Sequence, residues 1–169
     1  MTRLQSAMVQ LNLARHYTLG LLSDIPDEKW FWMPQGGVTH VAWQVGHIAM
    51  AEYNLTLARI RGILPQDREL FTIDNFAELF GRTSIPQADA ANYPTPSALR
   101  ETLTRIHAQS QQELPALADE KLDQPSALAK PHPIVTTKLS SLLWCAQHEM
   151  IHAGQIGLQR RMMGTEPKW

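Results

Sequence analysis

His148 and His152 stand four residues apart in the segment His148-Glu149-Met150-Ile151-His152, a step that places two imidazoles on one face of a helix, a single turn apart. That spacing can chelate a metal ion, and a stable site needs a third ligand, usually from a neighbouring helix. His47 is the candidate, because it falls in a row with Trp43 and Met50, where an interior imidazole needs a partner. Three histidines leave coordination positions open for water or substrate, which points to a catalytic metal rather than a purely structural one. Zinc suits such ligands, with nickel or iron nearly as good. The same spacing also suits solvated or hydrogen-bonded histidines. His16, His40, His107 and His132 lack such a pattern and are assigned to the surface or to loops.

Other chemistries compete for the same residues. His148-Glu149-x-x-His152 is a literal zincin signature, in which the glutamate is a general base for peptide hydrolysis. The metzincin extension would need glycine at 155 and histidine at 158, where the chain has Gln155 and Leu158, and only Glu166 follows as an acidic residue. Glu149 is therefore read as an acid–base group, as an acceptor for an imidazole N–H, or as half of a surface salt bridge. A di-iron centre would need a second Glu-x-x-His, which is missing, and Glu52 is a single spare carboxylate. Cys145, one turn before His148, is a thiol beside the metal or, by preference, a small packing residue. Gln155 is placed to bond a ligand imidazole or the crossing helix. Trp30-Phe31-Trp32-Met33-Pro34 lines a pocket mouth or plugs the end of a core, and Gly154 and Gly157 suggest the close approach of another backbone, such as a dimer partner.

The prolines show which elements hold these residues, since one inside a helix costs ~3 kcal/mol. Proline-free stretches cover 1–25, 35–64, 97–114 and 134–166, with a shorter one at 66–85. In the first, Leu4, Met8, Leu11, Leu19 and Leu22 recur at helical steps, with Arg3, Gln10 and Arg15 off that face. In the second, Thr39 is read as the N-cap, and Val41, Val45, Ile48, Glu52 and Leu55 form a row beside Trp43, His47, Met50 and Asn54. Thr95-Pro96 opens the third, and Thr136 or Thr137 opens the fourth, which closes on Arg160, Arg161 and Gly164. A short extra helix is expected around 66–80, and 115–135 reads as irregular. With no period-two alternation, the expectation is an all-α four-helix bundle with a long crossover at 62–94, one domain over 1–169.

Composition narrows the partners. Fifteen Lys and Arg against sixteen Asp and Glu give a net charge of -1, which offers nucleic acid or anionic lipid no general attraction. A single cysteine excludes an internal disulfide and a thiolate-rich zinc site. The N-terminus lacks the basic-then-apolar layout of a secretion signal and no long apolar run is uninterrupted, so a soluble cytoplasmic protein is expected.

Trp43-Gln44-Val45-Gly46-His47-Ile48-Ala49, together with His148-Glu149-Met150-Ile151-His152-Ala153-Gly154-Gln155-Ile156-Gly157 and the following Arg160-Arg161 and Gly164, resembles the DinB-like (YfiT-like) superfamily of metal-binding four-helix bundles. The resemblance is specific at both motifs and loose between them. It implies one divalent ion, commonly zinc or nickel, held by His47, His148 and His152 with water at its open positions, and frequent homodimers. Characterised relatives include thiol-dependent S-transferases and a mycothiol-dependent isomerase. The functional expectation is a mononuclear metal-dependent enzyme, of thiol S-transferase or hydrolase type, acting on a small molecule such as a low-molecular-weight thiol. The alternative is a non-catalytic metal-binding stress-response protein with a structural ion. Metal affinity should fall below pH ~6.5, where free imidazole protonates.

Overall fold

Every long helix opens on a side-chain cap. In the computed structural model, which describes residues 1–71 and 73–168, α1 spans Arg3–Leu22, α2 Val41–Glu52, α3 Arg59–Arg61, α4 Ile73–Phe80, α5 Pro96–Glu113 and α6 Lys138–Met162. Thr2, Thr95 and Thr137 each accept a hydrogen bond from the backbone N–H three residues on, satisfying a donor that the first turn leaves unpaired. At α2 the cap is His40 rather than the expected Thr39. Its Nδ1 accepts from the Trp43 N–H at 3.1 Å, while the Thr39 hydroxyl is taken by the Gln44 amide at 3.0 Å. His40 is accordingly fully buried, against Phe31 and Tyr93, and its assignment to the surface is corrected. At the other end of the chain, Gly164 adopts φ +85° just past α6, a backbone geometry that favours glycine.

A π-helical turn over Tyr53–Ala58 joins α2 to α3, so one continuous rod carries the chain from 41 to 61. The Thr56 hydroxyl donates to the Glu52 carbonyl at 2.7 Å within that wide turn. Where a single helix around 66–80 was expected, the crossover that follows holds a 3-10 turn over Pro65–Glu69 and then α4, with a second 3-10 turn over Ala90–Asn92 further on. Asp67 closes the turn. Its carboxylate accepts from the Leu64 N–H, the Tyr53 hydroxyl and the Arg61 guanidinium, so the chain is anchored before α4 begins. The 115–135 segment contains only short 3-10 turns, clamped to α1 by Arg3 on Asp119 and Asp123. Apart from an isolated bridge between Pro125 and Thr137, no strand occurs among the described residues.

The fold is all-α. α1 packs along α6, α6 along α2 and α2 along α5, with α4 laid across α2. Trp30 is fully buried under the Arg100 guanidinium, 4.2 Å from its ring, as the plug reading anticipates, whereas Phe31 and Trp32 border a surface pocket, as the pocket-mouth reading does. No helix among the described residues is long and apolar enough to cross a membrane.

The apolar interior falls into two clusters. One gathers Leu21, Val45, Ile48, Phe80, Leu103 and Ile156, the other Leu4, Leu11, Leu55, Leu114, Leu142 and Cys145. Between them in all four long helices lies a polar layer. Arg15 of α1 bonds Glu149 of α6 at 2.8 and 3.0 Å, Glu52 of α2 at 2.7 Å, and the Leu103 carbonyl of α5 at 2.8 Å. His107 joins Glu52 at 2.7 Å and Asn12 at 2.9 Å. Burial alone would raise the Glu52 carboxyl, but the Arg15 guanidinium, with help from His107, holds it below its usual value. Three sequence expectations change here: Arg15 is inside, His107 is a half-buried link between helices, and Glu149 pairs in the interior, where it is 2% exposed, rather than at the surface.

Candidate metal centre

Just beside the polar layer, α2 and α6 bring His47, His148 and His152 together. One ring nitrogen from each lies within 4.8 Å of the others, although His47 is separated by about a hundred positions from the pair. The Nε2 atoms of His47 and His148 are 3.3 Å apart, and those of His148 and His152 3.2 Å. Nitrogens bound tetrahedrally at the usual zinc–nitrogen distance are separated by about 3.3 Å. The spacing therefore fits a shared ion.

The opposite ring nitrogens are fixed by the fold. The Nδ1–H of His47 donates to the Phe80 carbonyl at 2.6 Å. Phe80 ends α4, so its carbonyl is one that the helix itself leaves without a partner. The Nδ1–H of His152 donates to the Gln44 Oε1, whose amide is oriented by its own bonds to Gln155 at 2.7 Å and Thr39 at 3.0 Å. With hydrogen on Nδ1, both rings present a lone pair at Nε2. That is the tautomer a metal bound at Nε2 requires.

The Trp43-x-x-Gly46-His47 segment now has a physical reading. Trp43 stacks on His47, with ring centroids 4.7 Å apart and planes 11° from parallel, and its Nε1–H donates to Ser84 at 2.8 Å. Ser84 follows α4, so the tryptophan ties that crossover to α2. Gly46 leaves the space that α4 fills: a Cβ there would lie 2.4 Å from the Phe80 ring. Glycine at 46 therefore lets the Phe80 carbonyl reach His47.

Burial sets the charge state. His152 is buried and the other two are half-buried. Desolvation, then the neighbouring imidazoles, push His152 down to about 3 and His148 down to about 4, and burial also lowers His47. All three rings are neutral near pH 7, as ligands must be. The residues present thus fit a divalent ion in number, atom type, spacing and protonation.

A comparison with known families matches residues 10–156 to the DinB superfamily. The chain belongs to that superfamily. No curated protein gave a significant match.

In this superfamily member the other sequence candidates fall outside the histidine cluster. The Glu149 carboxylate is engaged by Arg15. Cys145 packs in the apolar interior, where burial keeps its thiol protonated. Gln155 bonds the crossing helix through Gln44, one of the two roles foreseen for it. Gly154 faces open space and Gly157 meets only Leu21. Two contributors escaped sequence reasoning: the Phe80 carbonyl, which has no side-chain signal, and Gln44. Gln44 did leave a trace, being a polar residue one turn before Ile48 among mostly apolar neighbours on α2.

Proposed function

We propose that His47, His148 and His152 hold one divalent ion, zinc or nickel, and that the protein is a mononuclear metal-dependent enzyme acting on a small molecule, by thiol S-transfer or hydrolysis. The convergence of three Nε2 atoms at ligand spacing, with Nδ1 hydrogens tied to Phe80 and Gln44, carries this reading. When bound, such an ion supplies the Lewis acidity that makes a nucleophile of water or a thiol near neutral pH. Trp43 and the Gln44–Gln155 pair hold the imidazoles in register, and the half-buried setting limits access of bulk water.

One observation favours a catalytic ion over a structural one. α2 and α6 are already joined without metal, through Gln44 to Gln155, Gln159 to the Thr39 carbonyl, and Arg15 between Glu52 and Glu149. An ion is not needed to hold them together. A homodimer belongs to the same proposal, supported by an apolar groove between α1 and α6 on which Leu13, Met150 and Ile151 are exposed.

The test is elemental analysis of protein purified without an affinity tag. One ion per chain is expected in the wild type and none in His47→Ala or His152→Ala, with helical circular dichroism retained. An ion that survives both substitutions, or none in the wild type even after reconstitution, would overturn the reading.

A further inference from the structure

Beside His152 lies a cleft of about 470 Å³, bordered by Trp43, Arg82, Gln155, Leu158 and Gln159. Two of these residues carry polar groups that the fold leaves unmatched. Gln159 is 5% exposed, and its Nε2 donates to the Thr39 carbonyl at 2.9 Å, which fixes the orientation of the amide. Turning the amide over would set oxygen against oxygen. Its Oε1 is consequently a buried acceptor without a partner, on a side chain that borders the cleft. A buried acceptor left in that state costs free energy, and a ligand that donates to it recovers the loss.

Arg82 is the second. It is exposed and has no carboxylate partner among the described residues. The residues lining the cleft include no Asp or Glu, so nothing there repels an anion. Trp43 and Leu158 add apolar surface to the cleft.

We infer that this cleft binds a small molecule bearing a carboxylate or phosphate, held by Arg82, together with an N–H or O–H donor that bonds Gln159 Oε1. Arg82 and Gln159 are then specificity-determining residues for the site at His152. This assignment rests on the metal reading, because it places the ligand's reacting end at the histidines.

The experiment separates the two. Cobalt(II) uptake, read from visible absorption, tests the metal site alone. The cobalt protein is then titrated with three thiols and thiolate binding is followed by its near-ultraviolet charge-transfer band: N-acetylcysteine, its neutral amide, and 3-mercaptopropionate, which keeps the carboxylate but has no N–H. N-acetylcysteine should bind roughly tenfold tighter than its amide, as for a charge-assisted hydrogen bond, and several-fold tighter than 3-mercaptopropionate. Arg82→Gln should erase the first preference and Gln159→Leu the second, with cobalt affinity unchanged. Arg82→Gln, at an exposed position, carries the test if Gln159→Leu fails to fold. Cobalt binding without a carboxylate preference in the wild type, or a preference that survives Arg82→Gln, would overturn the cleft assignment and spare the metal site. A wild type that takes up no cobalt would remove both.

Discussion

Neutral imidazoles are arranged in this protein before any ion arrives. Since burial holds His148 at about 4 and His152 at about 3, protons compete with a metal far less than they would for free imidazole. Metal affinity should therefore persist below the pH of about 6.5 at which an unperturbed histidine protonates, since burial lowers His47 as well. Metal titrations at pH 7.5 and 5.5 check this, and a tenfold or greater loss between them would contradict it. The same shift has a stability consequence in metal-free protein. The native rings stay neutral while unfolded ones protonate below about 6.5, so the unfolded state binds more protons and stability falls as pH drops from there toward 3. His40, also buried and held down to about 4, adds to the slope in the same direction. Urea midpoints should be lower at pH 5 than at pH 7.5.

Elements place these residues through close contacts that tolerate little change. In Gly46→Ala the new methyl would meet the Phe80 ring at 2.4 Å, and the ring lies on α4, whose last carbonyl holds His47. Overpacking of this kind typically costs about 1–3 kcal/mol, and a lost partner for a ligand imidazole costs about 10–100-fold in metal affinity. Gly46→Ala should show both, by thermal melting and by metal titration. The polar layer predicts the opposite pattern. Arg15→Met strands Glu52 and Glu149 in the interior and should destabilise the fold by about 3–5 kcal/mol. Adding Glu52→Gln and Glu149→Gln should restore most of it, because the uncompensated charges are gone. Denaturant melts of the single and triple variants decide the matter.

For the whole molecule, the proposed homodimer would use the α1–α6 groove. Leu13, Met150 and Ile151 are each more than two-fifths exposed there, and a two-fold contact would cover the same stripe on both chains. Light scattering should report a dimer for the wild type and a monomer for Ile151→Arg, with metal content unchanged. Equal masses for the two proteins would refute the dimer.

How much of this was legible in the sequence depends on the range of the interaction. Helix caps and stops are local, so Thr95 and Gly164 could be read directly and the last cap narrowed to Thr136 or Thr137, of which the fold uses Thr137, and the proline gaps placed all four long helices. The histidine pair was legible because four residues make one helical turn, and His47 because its row demanded a partner. What failed was long-range. Arg15, His107 and Glu149 look like surface residues until partners from other helices bond them, and His40 looks idle until it caps α2. The tautomers of His47 and His152, and hence the direction of their lone pairs, were decided by a carbonyl on α4 and an amide on α2. Periodicity names the face a side chain occupies; only the packed structure supplies the group that waits there.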